Sequence, residues 1–262
     1  MQVLVAVTEV VEVADDFEIE GLSIDDRYRE YDLNEWDDYA VEAAVQLAEA
    51  GVADEVVTVT VGPERAEETI RMALAKGADR AVRVWDDALA DQPLLDVAAK
   101  TRLLRAVVEA ESPDLVLAGV QAGDDAWGAT GVSLAHAIGY EWAAVVTGFE
   151  LDGDRAHVRR ELEGGVEALV DVELPAVLTI QTGINEPRYA SLRGIRQAQS
   201  KEIAVRTLAD LDLAADDVES AIELTDMFEP TAEGETRFLE GDAGEQAAAL
   251  AEVLRERGVG AE

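Results

Sequence analysis

A glycine-rich loop at residues 119–131 has the composition of an anion-binding turn. Its sequence is Gly-Val-Gln-Ala-Gly-Asp-Asp-Ala-Trp-Gly-Ala-Thr-Gly, and it separates a predicted strand from a predicted helix. Glycines let backbone amides approach a phosphate, and the start of a helix favours negative charge. Asp124 and Asp125 could cap the helix or accept a hydrogen bond from a ribose hydroxyl. A strand, turn and helix that bind nothing would look the same, so both interpretations stay open here.

The segment Asn185–Leu192 is a second candidate, as a surface for contact with other proteins. It follows an apolar run, Leu174–Gln181, that predicts a buried strand. Pro187 fixes φ and lacks a backbone donor, so the strand cannot continue and a stiff loop is expected. That loop is predicted to present Arg188, Tyr189 and Leu192. An ordinary surface loop is the alternative.

Other chemistries find little support. The chain has no cysteine, which excludes disulfides, thiol catalysis and iron–sulfur ligation by its own residues. His136 and His157 show no spacing typical of zinc sites, and the acidic segment 25–34 lacks the spacing and central glycine of a calcium loop. We predict neither a catalytic residue nor a metal site. Among the tryptophans, only Trp127, within the loop 119–131, is a candidate for ligand contact.

The charge of the chain is extreme and is spread along its length. The 262 residues include 57 Asp and Glu against 21 Lys and Arg, for a net charge of −36. On a sphere of radius about 23 Å, this charge gives roughly 30 kcal/mol of self-repulsion at 0.15 M salt and roughly half at 1 M. An ordinary stability is about 5–15 kcal/mol. We therefore expect a halophilic protein adapted to a salty cytoplasm, with an ordinary acidic protein as the alternative.

The same composition limits location and partners. Binding to nucleic acid or to an anionic membrane is disfavoured by the negative charge. No apolar run approaches the roughly 20 residues that span a bilayer. The apolar segment Val3–Val7 has no basic stretch before it, so it predicts a first strand rather than a signal peptide, and a cytoplasmic location is expected.

Apolar runs alternate with amphipathic segments over the first half of the chain. The strands are predicted at Val3–Val7, Val56–Val61, Ala81–Trp85 and Leu115–Val120, and the helices at Asp37–Ala50, Glu64–Lys76, Leu94–Glu111 and Gly128–Ile138. This alternation predicts an α/β fold with a parallel sheet covered on both faces.

The second half follows a different pattern. Short strands between residues 146 and 181 are separated by Asp152-Gly153 and Gly164-Gly165, which predicts an antiparallel extension of the sheet. Beyond Leu213 the chain is acidic and contains Pro230, which predicts an extended arm. A final amphipathic helix at Glu245–Arg257 is expected to dock on the protein's own body or on a partner.

Several stretches together resemble the β subunits of electron-transfer flavoproteins, the FixA-like family. The octet at 185–192 is similar to the loop by which that family recognises dehydrogenases, and 160–167 followed by 174–177 is similar to a second family motif. The loop 119–131 resembles the family's nucleotide-binding stretch, although Gly128-Ala129 stand where the family has Asn-Gln. The matching residues of this loop are Gly119, Gln121, Ala122, Asp124, Asp125, Thr130 and Gly131.

The resemblance implies an adenine nucleotide α-hydrolase-like core over 1–213, with a recognition loop at 184–201. It implies that the C-terminal arm and helix, 214–262, dock on an α subunit. The implied docking residues are Arg188, Tyr189 and Leu192. The implied cofactor-binding residues are Ala6, Asn34, Trp36, Asp37, Val61, Gly119, Gln121, Ala122, Asp124, Asp125, Gly128 and Thr130.

The implied function is electron transfer rather than catalysis. FAD would lie at the interface with the α subunit. Electrons would pass from flavin dehydrogenases, such as acyl-CoA dehydrogenases, to a quinone oxidoreductase and the quinone pool. Conventional members hold AMP in the β-subunit pocket, and bifurcating and FixA-type members hold a second FAD. Trp36-Asp37 and the long tail resemble the bifurcating type, whereas Asp124-Asp125 and Thr130-Gly131 resemble the AMP type, which we favour.

The alternative from another class is a stand-alone adenine-nucleotide-binding protein of the universal-stress type, whose core would look alike. Against this alternative, the sequence has no glycine-rich phosphate fingerprint near the final core strand, and the octet at 185–192 would be unexplained.

Overall fold

The computed structural model describes residues 1–90, 92, 94–229 and 237–259. The strands are β1 (Gln2–Ala6), β2 (Glu9–Val13), β3 (Ile19–Glu20), β4 (Ser23–Ile24), β5 (Arg29–Leu33), β6 (Glu55–Val61), β7 (Arg80–Val84), β8 (Leu115–Gly119), β9 (Glu141–Asp152), β10 (Arg155–Leu162), β11 (Val166–Glu173), β12 (Ala176–Ile180) and β13 (Ile203–Arg206). The helices are α1 (Glu35–Glu49), α2 (Glu67–Lys76), α3 (Asp87–Ala90), α4 (Val97–Glu111), α5 (Thr130–Ile138), α6 (Leu192–Ala198) and α7 (Ala243–Glu256).

A mixed nine-stranded sheet organises the first part of the chain, which confirms the predicted fold class. Its strand order is β11-β10-β9-β12-β8-β1-β6-β7-β13. In this order, all neighbouring strands from β9 through β12, β8, β1, β6 and β7 to β13 pair in parallel. At the other end of the sheet β10 pairs with β9, and β11 with β10, in antiparallel fashion. The parallel strands form continuous apolar runs because helices cover both of their faces.

Each face of the sheet has its own core. On one face Val5, Leu117 and Leu178 pack with residues of α1 and α2. On the other face Leu4 and Val116 pack with residues of α4 and α5. These two layers fix where α1 and α5 begin, and both helices begin at the same edge of the sheet as the ends of β1 and β8.

The structure contains elements that the sequence did not predict. The strands β2 and β5 pair in antiparallel fashion between β1 and α1, and the short pair β3–β4 lies between them in the chain. The strand β13 pairs with β7 at one edge of the sheet, and α6 lies within the segment 184–201, which was predicted as a loop. The predicted helix Leu94–Glu111 begins later, at Val97, because Asp96 caps α4 by accepting a hydrogen bond from Ala99 N at 2.8 Å.

The described residues form two compact units, Met1–Met227 and Phe228–Glu262. The first unit extends past the predicted boundary at 213 because Ser220 and Ala221 bond to the start of α4. Ser220 Oγ accepts a hydrogen bond from Asp96 N at 2.9 Å, and Ala221 N donates to Asp96 Oδ2 at 2.8 Å.

The second unit, considered by itself, contains α7. Asp242 caps this helix through Gly244 N and Glu245 N, and Leu250 and Leu254 on it are exposed. Pro230, part of the predicted arm, lies outside the described residues, as do the rest of 230–236 and 260–262. Among the helices that the structure describes, none is both long and apolar enough to span a bilayer.

Candidate functional site

The carboxyl-terminal ends of β1, β6 and β8 open onto a cleft. The chain runs outward from β1 to β6 and β7, then returns to β8 on the other side of β1. Ligands of open α/β sheets usually bind at such a switch point. The cleft contains about 730 Å³ of space between atoms, and this volume includes open solvent.

Most of the residues predicted to bind a cofactor line this cleft, namely Ala6, Asn34, Asp37, Val61, Gly119, Gln121, Ala122, Asp125, Gly128 and Thr130. Trp36 and Asp124 do not line it. Trp36 Nε1 instead donates to Gln181 Oε1 at 3.0 Å, and Asp124 is exposed. A ligand contact by either residue therefore stays a prediction without support from this geometry.

Asn34 holds the glycine-rich loop in place. It occupies the N-cap position of α1 but makes no capping hydrogen bond. Its buried side chain reaches the loop instead: Nδ2 donates to Gln121 O at 2.9 Å, and Oδ1 accepts from Gly123 N at 3.2 Å. The amide of Asn34 thus sets the position of one wall of the cleft.

Asp37 joins the ends of two strands at the base of the cleft. Its Oδ2 accepts from Thr8 N at 2.7 Å, and its Oδ1 accepts from Gly119 N at 2.8 Å. Burial raises the pKa of this carboxyl group to about 6, against hydrogen bonds that favour the charged form. A Cβ atom at position 119 would lie 2.5 Å from Asp37 Oδ1, so only glycine permits this approach.

The loop ends in an arrangement suited to an anion. Gly128 has a φ of +61°, which favours glycine, and α5 follows without a side chain that caps its first turn. The first amides of a helix have no partner within the helix, and they carry partial positive charge. Thr130, the first residue of α5, lines the cleft. The arrangement can bind a phosphate group through backbone donors.

The sequence did not reveal Lys100, which also lines the cleft. Its ammonium group lies 2.5 Å from Asp125 Oδ2 and 5.4 Å from the ring centre of Trp127. Trp127 contacts Lys100 but does not line the cleft. A lysine in an amphipathic helix ordinarily faces solvent, so no pattern in the sequence pointed to this position.

The segment 185–192 crosses α1 and exposes part of its predicted docking surface. Tyr189 is 97% exposed and Leu192 is 78% exposed. Arg188 does not face outward in the same way, because its guanidinium bonds to Glu42 and Glu49 of α1. The docking role of Arg188 stays a prediction: its side chain is 32% exposed and holds the segment on α1, and Tyr189 and Leu192 project from the segment.

Helix α6, which follows directly, is fixed to α2. Arg71 donates to Ala198 O at 2.6 Å and to Lys201 O at 2.7 Å. Lys201 Nζ donates in turn to Leu74 O at 3.1 Å and to Ala78 O at 2.5 Å. The surface that exposes Tyr189 and Leu192 is thus attached to α1 at one end and to α2 at the other.

In the part of the chain that the structure describes, no group of three or more His, Asp or Glu side chains is placed to hold a metal ion.

Comparison with known proteins gives one consistent result. A model of the electron transfer flavoprotein domain matches residues 21–211. A protein of Methylophilus methylotrophus named electron transfer flavoprotein subunit beta is 46% identical over 264 aligned residues, which cover 98% of each chain. The proteins of that name from Bradyrhizobium diazoefficiens and Bacillus subtilis are 38% and 34% identical, covering 88% and 97% of this chain and 90% and 98% of their own.

Proposed function

Because this chain belongs to the family of electron transfer flavoprotein β subunits, we propose that it pairs with an α subunit and carries electrons from flavin dehydrogenases to a quinone oxidoreductase. FAD, held between the two subunits, supplies the redox chemistry when bound. The chain itself orients the flavin and docks on the partner proteins. We assign the complex to a salty cytoplasm because of its net charge of −36.

The cleft at the ends of β1, β6 and β8 is the observation that carries the proposal. Its apolar side chains from Val59, Val61 and Leu104 and the uncapped start of α5 suit an adenine nucleotide. The base would lie against the apolar wall, and a phosphate would face α5. AMP is the occupant we favour, with a second FAD as the alternative.

Dehydrogenases would dock on the surface formed by Tyr189 and Leu192. Exposed aromatic and aliphatic side chains on a rigid support are typical anchors of protein interfaces, because little conformational freedom is lost on binding. The hydrogen bonds of Arg188, Arg71 and Lys201 provide that support. The apolar Leu192 is the proposed anchor, inserted into a pocket on the dehydrogenase.

The C-terminal segment, which contains α7, would dock on the α subunit. Leu250 and Leu254 lie one turn apart on α7 and are 48% and 40% exposed. Leucines that are this exposed on a capped helix are suited to an apolar groove. We propose that the groove belongs to the α subunit.

Co-production of the chain with its α subunit tests the proposal. We expect a heterodimer with bound flavin that a partner dehydrogenase reduces. A homodimer without flavin, as a universal-stress-type protein would give, would contradict it.

A further inference from the structure

We propose that Lys100 makes the cleft select a phosphate-bearing adenine nucleotide over the uncharged nucleoside adenosine. This inference rests on the proposed function, since it concerns the occupant of the same cleft. It adds the side chain that recognises the phosphate and the basis of the selection.

Lys100 belongs to a helix that forms part of the cleft wall. It lies in the first turn of α4, and its side chain is 25% exposed. The same helix places Leu104 one turn further along the cleft wall, and α4 packs against α5, whose first residue Thr130 also lines the cleft. Lys100 and the start of α5 therefore line the same cleft.

The charge of the cleft lining also favours a role for Lys100 in binding phosphate. Among the described residues that line the cleft, Lys100 is the only cation, whereas Asp37 and Asp125 are anions. The chain as a whole has a net charge of −36. A phosphate that enters this space without a lysine would meet two carboxyl groups, opposed only by the partial charge of a helix start. Lys100 places one full positive charge against these carboxyl groups, so that a phosphate meets less negative charge.

The ammonium group of Lys100 has hydrogen-bond donors left for a ligand. An ammonium group has three N–H donors, and Lys100 directs one of them to Asp125 Oδ2 at 2.5 Å. A phosphate can accept another, so that Lys100 bridges Asp125 and the ligand. Gly128 and Ala129, just before α5, have no side-chain donor of their own. Among the described side chains that line the cleft, Lys100 thus offers a phosphate the only charged donor.

A purely structural role is the competing explanation. In that role the bond between Lys100 and Asp125 would only attach the loop 119–131 to α4. Its loss would then weaken AMP and adenosine alike, because both ligands need the loop. Selection through charge predicts unequal losses, and this difference separates the two roles.

The test compares AMP and adenosine by calorimetry, using the full chain paired with its α subunit and dialysed free of nucleotide. Lys100→Met should weaken AMP about tenfold or more, because a charged hydrogen bond is worth about 1.5–3 kcal/mol. Adenosine should change less than about twofold by the same reasoning. Lys100→Arg should retain most of the preference for AMP. Arg102→Met removes the same charge from an exposed position of the same helix and should behave as the unaltered protein.

The outcomes are distinct. Equal losses of AMP and adenosine in Lys100→Met, or no loss of AMP, would overturn the inference and leave the nucleotide cleft intact. An unaltered protein that binds neither AMP, adenosine nor FAD would instead overturn the proposed occupant of the cleft.

Discussion

Replacement of Arg188 by methionine should destabilise the protein by leaving a buried carboxylate without its cation. Glu42 is 4% exposed and accepts from Arg188 Nε at 2.7 Å and from Nη2 at 3.0 Å. Burial acts to raise the pKa of Glu42, but the hydrogen bonds from Arg188 and Gln46 outweigh it and hold the pKa below its usual value. In Arg188→Met the carboxylate of Glu42 stays buried, and it loses most of the hydrogen bonds that offset the cost of its burial.

The size of the effect follows from the exposure of each partner. Loss of one partner of a fully buried ion pair costs about 3–5 kcal/mol. The Arg188 side chain is 32% exposed, so solvent screening reduces the expected cost to about 2–3 kcal/mol. A loss of this size would lower the midpoint of thermal unfolding by about 4–12 °C.

Urea unfolding of the full chain at pH 7 measures this loss, and two variants serve as references. Glu49 is a second partner of Arg188 but its side chain is 60% exposed, so Glu49→Gln should cost less than about 0.5 kcal/mol. Adding Glu42→Leu to Arg188→Met should recover much of the stability, because an apolar side chain replaces the unpaired carboxylate. A loss in Arg188→Met no greater than that in Glu49→Gln, or no recovery in the double variant, would refute the reasoning.

The remaining predictions concern pH, docking and salt. The pKa of Asp37 is raised from 3.8 to about 6, which corresponds to roughly 3 kcal/mol. Since the folded state binds this proton more tightly than the unfolded state, the stability of the unaltered protein relative to Asp37→Asn should fall by that order from about pH 4 to pH 7. A stability difference that stays constant with pH in urea titrations would contradict this. In heterodimers of matched flavin content, Leu192→Ala should weaken docking by about thirtyfold and slow reduction of the flavin at subsaturating dehydrogenase. The control Leu169→Ala, which removes a leucine that is 81% exposed on an outer strand, should change neither. Equal reduction rates in both variants would argue against Leu192 as the anchor. Raising KCl from about 0.15 to about 1 M should increase the free energy of unfolding by several kcal/mol, and an unchanged urea midpoint would count against adaptation to salt.

The central strands could be predicted closely because their pattern is local. Parallel strands with both faces covered form continuous apolar runs, and β6 and β8 begin and end within one residue of their predicted bounds. The hairpin turn at Asp152-Gly153 was likewise predictable from its own residues.

The elements that were missed depend on distant contacts. Helix α6 is short and contains Gly194, which weakens any helical prediction. That glycine is required because a Cβ atom there would collide with the carbonyl oxygen of Ala75 in α2. The strand β13 has only four residues and forms as a partner of β7.

The site was predictable where family motifs cover it and not elsewhere. Asp37 could be assigned to the cleft by resemblance, but its burial and its bonds to Thr8 and Gly119 follow only from the packing of α1. The pairing of Arg188 with Glu42 joins residues far apart in sequence. Neither residue type nor spacing could reveal it, and so Arg188 was expected to face outward.

The cofactor content of the purified heterodimer tests the central claim most directly. Denaturation, extraction and chromatography would measure FAD and AMP against protein. We predict one FAD and one AMP per heterodimer, or two FAD if the cleft holds a second flavin. A single FAD with no further adenine nucleotide would contradict the assignment of the cleft formed at the ends of β1, β6 and β8.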